Sequence, residues 1–181
     1  MSRKSTQQNI FLIGLMGSGK TTIGRQLARA CKLKFIDSDA EIVDRTGAEI
    51  SWIFDIEGEE GFRRREALII DELTLGSGMV LATGGGSVLD PENRRALATR
   101  GIVVYISASL NQLFKRTSKD QSRPLLNHDN PKEVLRALQL ERDPFYREIA
   151  DVVIETDHCT VNQAVKQIRK QIQALTAVDH S

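Results

Sequence analysis

Residues 14 to 21 read Gly14-Leu15-Met16-Gly17-Ser18-Gly19-Lys20-Thr21, a complete G-x-x-x-x-G-K-[ST] pattern set directly after the apolar run Ile10-Phe11-Leu12-Ile13. The pattern constrains the fold because it works only between a strand and a helix. Glycines at 14, 17 and 19 let the backbone take positive φ, so that successive N–H groups can point at one anion. Lys20 is expected to reach the β- and γ-phosphates of a nucleotide, Thr21 to offer its hydroxyl to Mg²⁺, and the helix that begins here to set the positive end of its dipole under the same charge. Ile23, Leu27 and Cys31, at i, i+4 and i+8, give that helix an apolar stripe. The alternative, a chance match in a glycine-bearing turn, leaves both flanks unexplained.

A chain of 181 residues fits one domain and can bury roughly 70% of its unfolded surface, so it needs no staples. Its two cysteines, Cys31 and Cys159, lie far apart in sequence, and no Cys/His spacing suits structural zinc, which points to a reducing compartment, the cytoplasm. With 25 basic and 24 acidic residues the net charge is +1, which supplies no global field for nucleic acid or anionic membrane. Arg3 and Lys4 before an apolar run imitate a secretory signal, but Lys20 and Arg25 interrupt it before the small residues at Ala28-Arg29-Ala30. No stretch approaches the roughly 18 apolar residues of a membrane span.

Strands and helices alternate along the rest of the chain. Lys34-Phe35-Ile36-Asp37 reads as a strand ending in a carboxylate, and Ser38-Asp39-Ala40-Glu41 as a capping box. Residues 49–75 are helical and charged, Met79-Val80-Leu81-Ala82 is a buried strand, and Thr83-Gly84-Gly85-Gly86 follows it. Asp90-Pro91 opens a helix to about Ala98, Ile102-Val103-Val104-Tyr105-Ile106 is a strand, and a helix runs from Ser109 to Thr117. Residues 118–130 are polar, carry Arg123, and have the length of a mobile lid. Asn130-Pro131-Lys132-Glu133 caps a helix to about Ala150, Val152-Val153-Ile154 is the last strand, and Thr160-Val161-Asn162-Gln163 caps a final helix that frays after Leu175. This alternation implies an α/β fold: a central parallel sheet of about five strands, helices on both faces, and ligands outside the strands' carboxyl ends.

The candidate polar groups fall at those strand ends, where phosphoryl transfer needs a metal site, a carboxylate for the attacking hydroxyl and cations for the transferred group. Asp37 and Asp39 could divide the first two tasks, although Asp39 is equally readable as a first-turn helix carboxylate stabilised by the dipole. Arg63-Arg64-Arg65 is by itself a solvated helix face, and spacing does not say which arginine turns inward. Arg142, between Glu141 and Asp143, could be a surface ion pair worth at most about 1 kcal/mol. Gly84-Gly85-Gly86 could be an ordinary turn, though three glycines after a buried strand favour close backbone approach.

The chain resembles the shikimate kinases, from its first strand to its last helix. The resemblance rests on the phosphate loop with Thr22, on Asp37-Ser38-Asp39, Gly58-Glu59-Glu60-Gly61-Phe62-Arg63, Ala82-Thr83-Gly84-Gly85-Gly86, Arg123-Pro124-Leu125-Leu126 and Glu141-Arg142-Asp143-Pro144-Phe145-Tyr146, in that order. It implies a three-layer P-loop fold like that of nucleoside monophosphate kinases, a single domain with an acceptor-binding segment at about 38–66 and a lid at about 118–130. The implied reaction is Mg²⁺-dependent transfer from ATP to the 3-hydroxyl of shikimate, a step of aromatic amino acid biosynthesis, in a cytoplasmic monomer. By the same resemblance Asp39 binds the reacting hydroxyl, and Asp37 joins Thr21 in the magnesium shell through water. Arg63 and Arg142 grip the shikimate carboxylate with Glu66 holding Arg63, and Gly84, Gly85 and Gly86 wrap the acceptor. Gly17, Ser18, Gly19, Lys20, Thr21 and Thr22 hold the phosphates, and Arg123 closes over them. Arg116 and the segment Asp157-His158-Cys159 contact adenine, with Glu155 standing where the family more often has Asp. The guanidinium's paired donors suit a carboxylate, and bare glycine backbone suits a small polyol. Trp52, Ile53 and Phe54 read as packing beneath the acceptor helices.

Two other readings remain at the level of sequence. Asp55-Ile56-Glu57-Gly58 mimics the D-x-x-G of a switch GTPase, but it follows a helical segment and no N-K-x-D occurs. A related small-molecule kinase, for gluconate or a nucleoside monophosphate, would share the phosphate loop.

Overall fold

Strand β1 (Ile10–Ile13) is buried at all four residues, which places it in the middle of the sheet with both faces covered. It pairs in parallel with β3 (Met79–Ala82) on one side and with β4 (Ile102–Ser107) on the other. Strand β2 (Lys34–Asp37) lies outside β3 and β5 (Val152–Glu155) outside β4, all parallel, in the order β2-β3-β1-β4-β5. Edge strand β5 alternates buried Val152 and Ile154 with exposed Val153 and Glu155. The computed structural model describes residues 8–118 and 129–178.

Side chains alternating across β1 feed two cores. Ile10 and Leu12 join Val104 and Ile154 beneath helices α1 (Lys20–Cys31) and α7 (Val161–Val178), with Ile23, Leu27 and Ile168 among the residues buried there. Phe11 and Ile13 join Leu81, Val103 and Tyr105 on the opposite face. That face is covered by α3 (Ile50–Thr74), α4 (Pro91–Arg100) and α6 (Pro131–Ile149), through Ile70, Leu97, Tyr146 and Ile149. A smaller cluster of Ile42, Ile53, Phe62 and Ile69 joins α3 to α2 (Ser38–Thr46), and Leu15, Met16, Leu113 and Leu135 pack α5 (Leu110–Thr117) and α6 beside the phosphate loop. This is the three-layer α/β arrangement expected from the alternation, with the strands' carboxyl ends on one edge.

Several local expectations change. The cap of α2 is Asp37, whose Oδ1 accepts from the N–H groups of Asp39 and Ala40 at 2.9 and 3.2 Å. Ser38 lies inside the helix, and its Oγ accepts from Gly84 N–H at 3.0 Å, because β3 ends beside it. Helix α3 is broken at Gly58, where φ is 71° and ψ is 177°, so its second half can turn Phe62, Arg63 and Glu66 inward independently of the first. Trp52 is 60% exposed and is not packing beneath the acceptor helices; Ile53 is buried, and Phe54 meets Phe62 at 4.8 Å between ring centroids. Asn130 makes no side-chain cap bond. Helix α7 continues past Leu175 to Val178, held there by hydrogen bonds from Thr176 Oγ1 to Ile172 O and Gln173 O. Its start is the capping box expected, with Thr160 N–H on Gln163 Oε1 at 2.8 Å and Gln163 N–H on Thr160 Oγ1 at 3.2 Å. Among the described residues no helix is long and apolar enough to cross a membrane.

Candidate active site

Parallel pairing brings the phosphate loop, Asp37 and the glycine run Gly84 to Gly86 to one edge, because each follows or ends a neighbouring strand there. They line one cavity of about 670 Å³, together with Arg63 and Glu66 from α3, Arg116 from α5 and Arg142 from α6.

At the loop end of this cavity Gly14, Gly17 and Gly19 have φ of 147°, 80° and 99°. These are values that side-chain-bearing residues avoid, so the glycines serve the turn itself. Lys20 is 9% exposed, and its Nζ donates to the carbonyls of Gly14 at 2.7 Å and Leu15 at 3.0 Å. Ser18 Oγ lies 3.4 Å from the same Nζ and is buried. Thr21 and Thr22, in the first turn of α1, line the cavity. Arg116 Nη1 spans from the loop to the end of β5, donating to Gly17 O and Ser18 O at 3.2 Å each and to Thr156 Oγ1 at 3.3 Å.

Thr21 Oγ1 donates to Asp37 Oδ2 at 2.9 Å. The cap bonds to Oδ1 orient the Asp37 carboxylate, which leaves Oδ2 beside the threonine hydroxyl at the mouth of the phosphate loop. A hydroxyl and one carboxylate oxygen are hard donors, and few, which is the protein contribution Mg²⁺ ordinarily takes beside substrate phosphates. The residues fit the ion.

The other end of the cavity is made of charged side chains, two of them, Glu66 and Arg142, almost fully buried. Of the three arginines at 63 to 65 only Arg63 turns inward: Arg64 pairs with exposed Glu60 and Arg65 with Glu57. Arg63 Nη1 donates to Glu66 Oε1 at 2.7 Å, and Nη2 lies 3.3 Å from Glu59 Oε1. Glu66 is 1% exposed, and burial pushes its carboxyl up to about 7 even though Arg63 opposes the shift. Asp39, in the first turn of α2, is both the dipole-stabilised carboxylate and a wall of the cavity. Arg142 is 2% exposed, so it is not a surface pair; the Glu141 carboxylate is 3.8 Å from its Nε, which makes no hydrogen bond. Such a buried cation is costly unless an anion meets it.

The glycines between these groups are required for room. A Cβ on Gly84 would lie 2.6 Å from Glu66 Oε2 and 2.9 Å from Asp39 Oδ1. On Gly86 it would collide with the Arg63 guanidinium. Two carboxylates, two guanidinium groups and bare backbone thus surround one space. It offers bidentate cation contacts for a carboxylate and an acceptor for a hydroxyl, within one cavity with a phosphate loop.

The family model for shikimate kinase matches residues 16–173. The chain belongs to the shikimate kinase family. It is 58% identical over 165 residues to the shikimate kinase of Legionella pneumophila (strain Corby), covering 91% of this chain and 94% of that one. The shikimate kinase of Vibrio vulnificus (strain YJ016) is 53% identical over 167 residues, 92% of this chain and 97% of that one. The structure of shikimate kinase from Acinetobacter baumannii in complex with shikimate superposes with a TM-score of 0.91 at 47% identity, covering 93% of this chain and 94% of that one.

Among the expected site residues that the structure describes, Ser18, Asp157 and Cys159 are not part of the cavity lining. Cys159 packs against the apolar cluster beneath α7, with its N–H 3.5 Å from Thr156 O. Nearby, Asp157 Oδ1 accepts from Ser109 N–H at 2.8 Å, and that bond holds its carboxyl below the ordinary range. Arg123 lies outside the described residues, as does most of the segment expected to form the lid. Tyr146 belongs to one of the motifs that carry the resemblance, yet the sequence assigns it no part. It lies on α6 one turn after Arg142, a spacing of four that puts both on one helix face, and its hydroxyl donates to Gly85 O at 2.5 Å.

Proposed function

We propose that this shikimate kinase family member transfers the γ-phosphoryl of ATP to the 3-hydroxyl of shikimate, giving shikimate 3-phosphate and ADP. The observation that carries the reading is Arg142, a fully buried guanidinium that faces the same cavity as Arg63, Asp39 and a phosphate loop. A small acid with a hydroxyl to phosphorylate completes that arrangement: its carboxylate meets the two guanidinium groups, and its reacting hydroxyl meets Asp39.

The assigned roles follow from charge and position. Arg63 and Arg142 bind the substrate carboxylate, and Glu66 keeps the Arg63 fork turned toward it. Gly84, Gly85 and Gly86 admit the ring close to the backbone. Asp39 accepts the hydrogen bond of the attacking hydroxyl, orients its lone pair toward the γ-phosphorus and takes up its proton as the new P–O bond forms. The N–H groups of Gly17 to Thr22 cradle the phosphates, Lys20 turns from its loop carbonyls toward the β- and γ-oxygens, and Arg116 borders the nucleotide end with Cys159 behind it. Arg123, carried over from the family resemblance, adds positive charge at the transferring group. Thr21 and Asp37, the latter through water, would hold Mg²⁺, which supplies charge neutralisation across the β- and γ-phosphates.

The two free cysteines suit the reducing cytoplasm. The test is a coupled ADP-release assay with Mg²⁺-ATP and, in parallel, shikimate, gluconate and AMP as acceptors. Shikimate-dependent turnover with stoichiometric shikimate 3-phosphate supports the reading; ADP release that responds only to gluconate or AMP rejects it.

A further inference from the structure

The glycine run is held at both ends, by Ser38 of α2 and by its own turn. Gly84 N–H donates to Ser38 Oγ at 3.0 Å, Gly84 O accepts from Ser87 N–H at 3.1 Å, and Gly86 O accepts from Leu89 N–H at 3.1 Å. Between them the Gly85–Gly86 peptide is flanked by two residues with no Cβ, and rotation of such a unit meets little steric resistance. One bond restrains it directly: the Tyr146 hydroxyl donating to Gly85 O at 2.5 Å.

Gly85 C=O and Gly86 N–H belong to the same peptide unit. In a trans unit the two groups point in opposite directions, and no cis bond occurs among the described residues. A grip on Gly85 O therefore also sets the direction of Gly86 N–H. That N–H donates to no other described residue, and Gly86 lines the acceptor end of the cavity, against Arg63.

The gripping side chain is itself immobilised. Tyr146 is 1% exposed and stacks on Tyr105, with ring centroids 4.9 Å apart and planes inclined by 29°. Tyr105 Oη in turn donates to Asp143 Oδ1 at 2.7 Å, and Asp143 Oδ2 accepts from Arg147 Nε at 2.7 Å. Burial raises the Tyr146 phenol well above its ordinary range, so it remains a donor wherever the fold is intact. Arg142 stands one turn earlier on the same helix, so one rigid element carries a cation for the acceptor and the group that orients the glycine backbone.

We propose that Tyr146 is a positioning residue for the acceptor: its hydroxyl, by fixing the Gly85–Gly86 peptide plane, aims the Gly86 N–H at an oxygen of the bound acid. The inference rests on the shikimate reading above. The plainer view makes Tyr146 a core tyrosine whose hydroxyl happens to find a carbonyl, and the two views separate by which kinetic constant moves.

Tyr146→Phe keeps the ring and its stack and removes the hydroxyl, with its bond to Gly85 O and its contact to the Arg142 guanidinium, so exchange of the Gly86 amide is what separates the two. The expected result is a KM for shikimate raised roughly 5- to 10-fold, the size of one neutral hydrogen bond. The KM for ATP should stay within about twofold, in a protein with an unchanged circular dichroism spectrum. Tyr105→Phe, which breaks the Asp143 bond of the same stack and leaves the Tyr146 hydroxyl in place, should move the shikimate KM much less. In the unmodified protein, hydrogen exchange of the Gly86 amide should slow when shikimate is added, a measurement that holds even if the variant fails to fold. An unchanged shikimate KM in Tyr146→Phe, equal losses for both substrates, equal effects of the two Phe variants, or a Gly86 amide indifferent to shikimate would each overturn the proposal. Unmodified protein that does not phosphorylate shikimate at all would instead reject the activity on which it rests.

Discussion

The Arg63 guanidinium occupies the space that a Cβ at residue 86 would fill. Gly86 is therefore a glycine for the sake of its neighbour; its own φ of −92° is open to any residue. Gly86→Ala should push Arg63 out of line with the acceptor. Overpacking of this kind costs about 1–3 kcal/mol, and here the end of a flexible side chain can yield, so the loss should fall on shikimate affinity. Calorimetry and thermal melting distinguish the outcomes: a lowered melting temperature with unchanged affinity would mean that the backbone yields and Arg63 holds.

Glu66 should give the protein a stability that falls with pH. Burial raises its folded-state pKa to about 7, above the ordinary carboxyl value near 4.3. Between these two values the folded protein keeps a proton that the unfolded chain has released, so folding is favoured below the window and loses stability as pH rises through it. Glu66→Gln keeps an acceptor for Arg63 and removes the titration. Urea unfolding at pH 5, 6, 7 and 8 should show a smaller decline for the variant than for the unmodified protein; parallel curves would assign the decline to other groups.

Removing the cations of the acceptor site should separate the two substrates. Arg63→Ala and Arg142→Ala should each weaken shikimate binding by roughly 2–5 kcal/mol, the range for truncating one partner of a buried charge pair, while ATP binding stays nearly constant. Titrations of each binary complex test this, and equal losses for both ligands would contradict the assignment.

Lys20→Ala should abolish turnover and leave the fold standing. Its Nζ bonds to the carbonyls of Gly14 and Leu15 help order the loop, but the positive φ values of three glycines are local to the backbone and do not depend on it. Single-turnover kinetics beside a circular dichroism spectrum decide the matter. An unfolded variant would give the lysine a structural part.

Short-range chemistry is what makes a feature legible in the chain. The phosphate loop, its strand and its helix are contiguous, so spacing alone specifies them, and each strand announces itself by a short apolar run whose ends the sheet then aligns. Asp90 and Thr160 are legible as caps because a cap bonds to its own next turn. Ser38 is not: Gly84, distant in sequence, competes for its hydroxyl, and Asp37 takes the cap instead. Trp52 misleads for the converse reason, since an aromatic residue reads as core until the break at Gly58 and the packing of Phe54 on Phe62 settle which face of α3 is covered.

For the site, the sequence by itself determined the kinds of group present and, through the resemblance, the family. The resemblance also singled out Arg63 and Arg142, which residue spacing could not do; tertiary structure decided that Arg63 faces inward while Arg64 and Arg65 pair outside, that Arg142 is buried, and that Gly84 and Gly86 are needed for room beside Asp39, Glu66 and Arg63. The physical reason is range: caps, periodicity and turn glycines act over a few residues, whereas burial and close approach arise between segments that meet only after the sheet has formed.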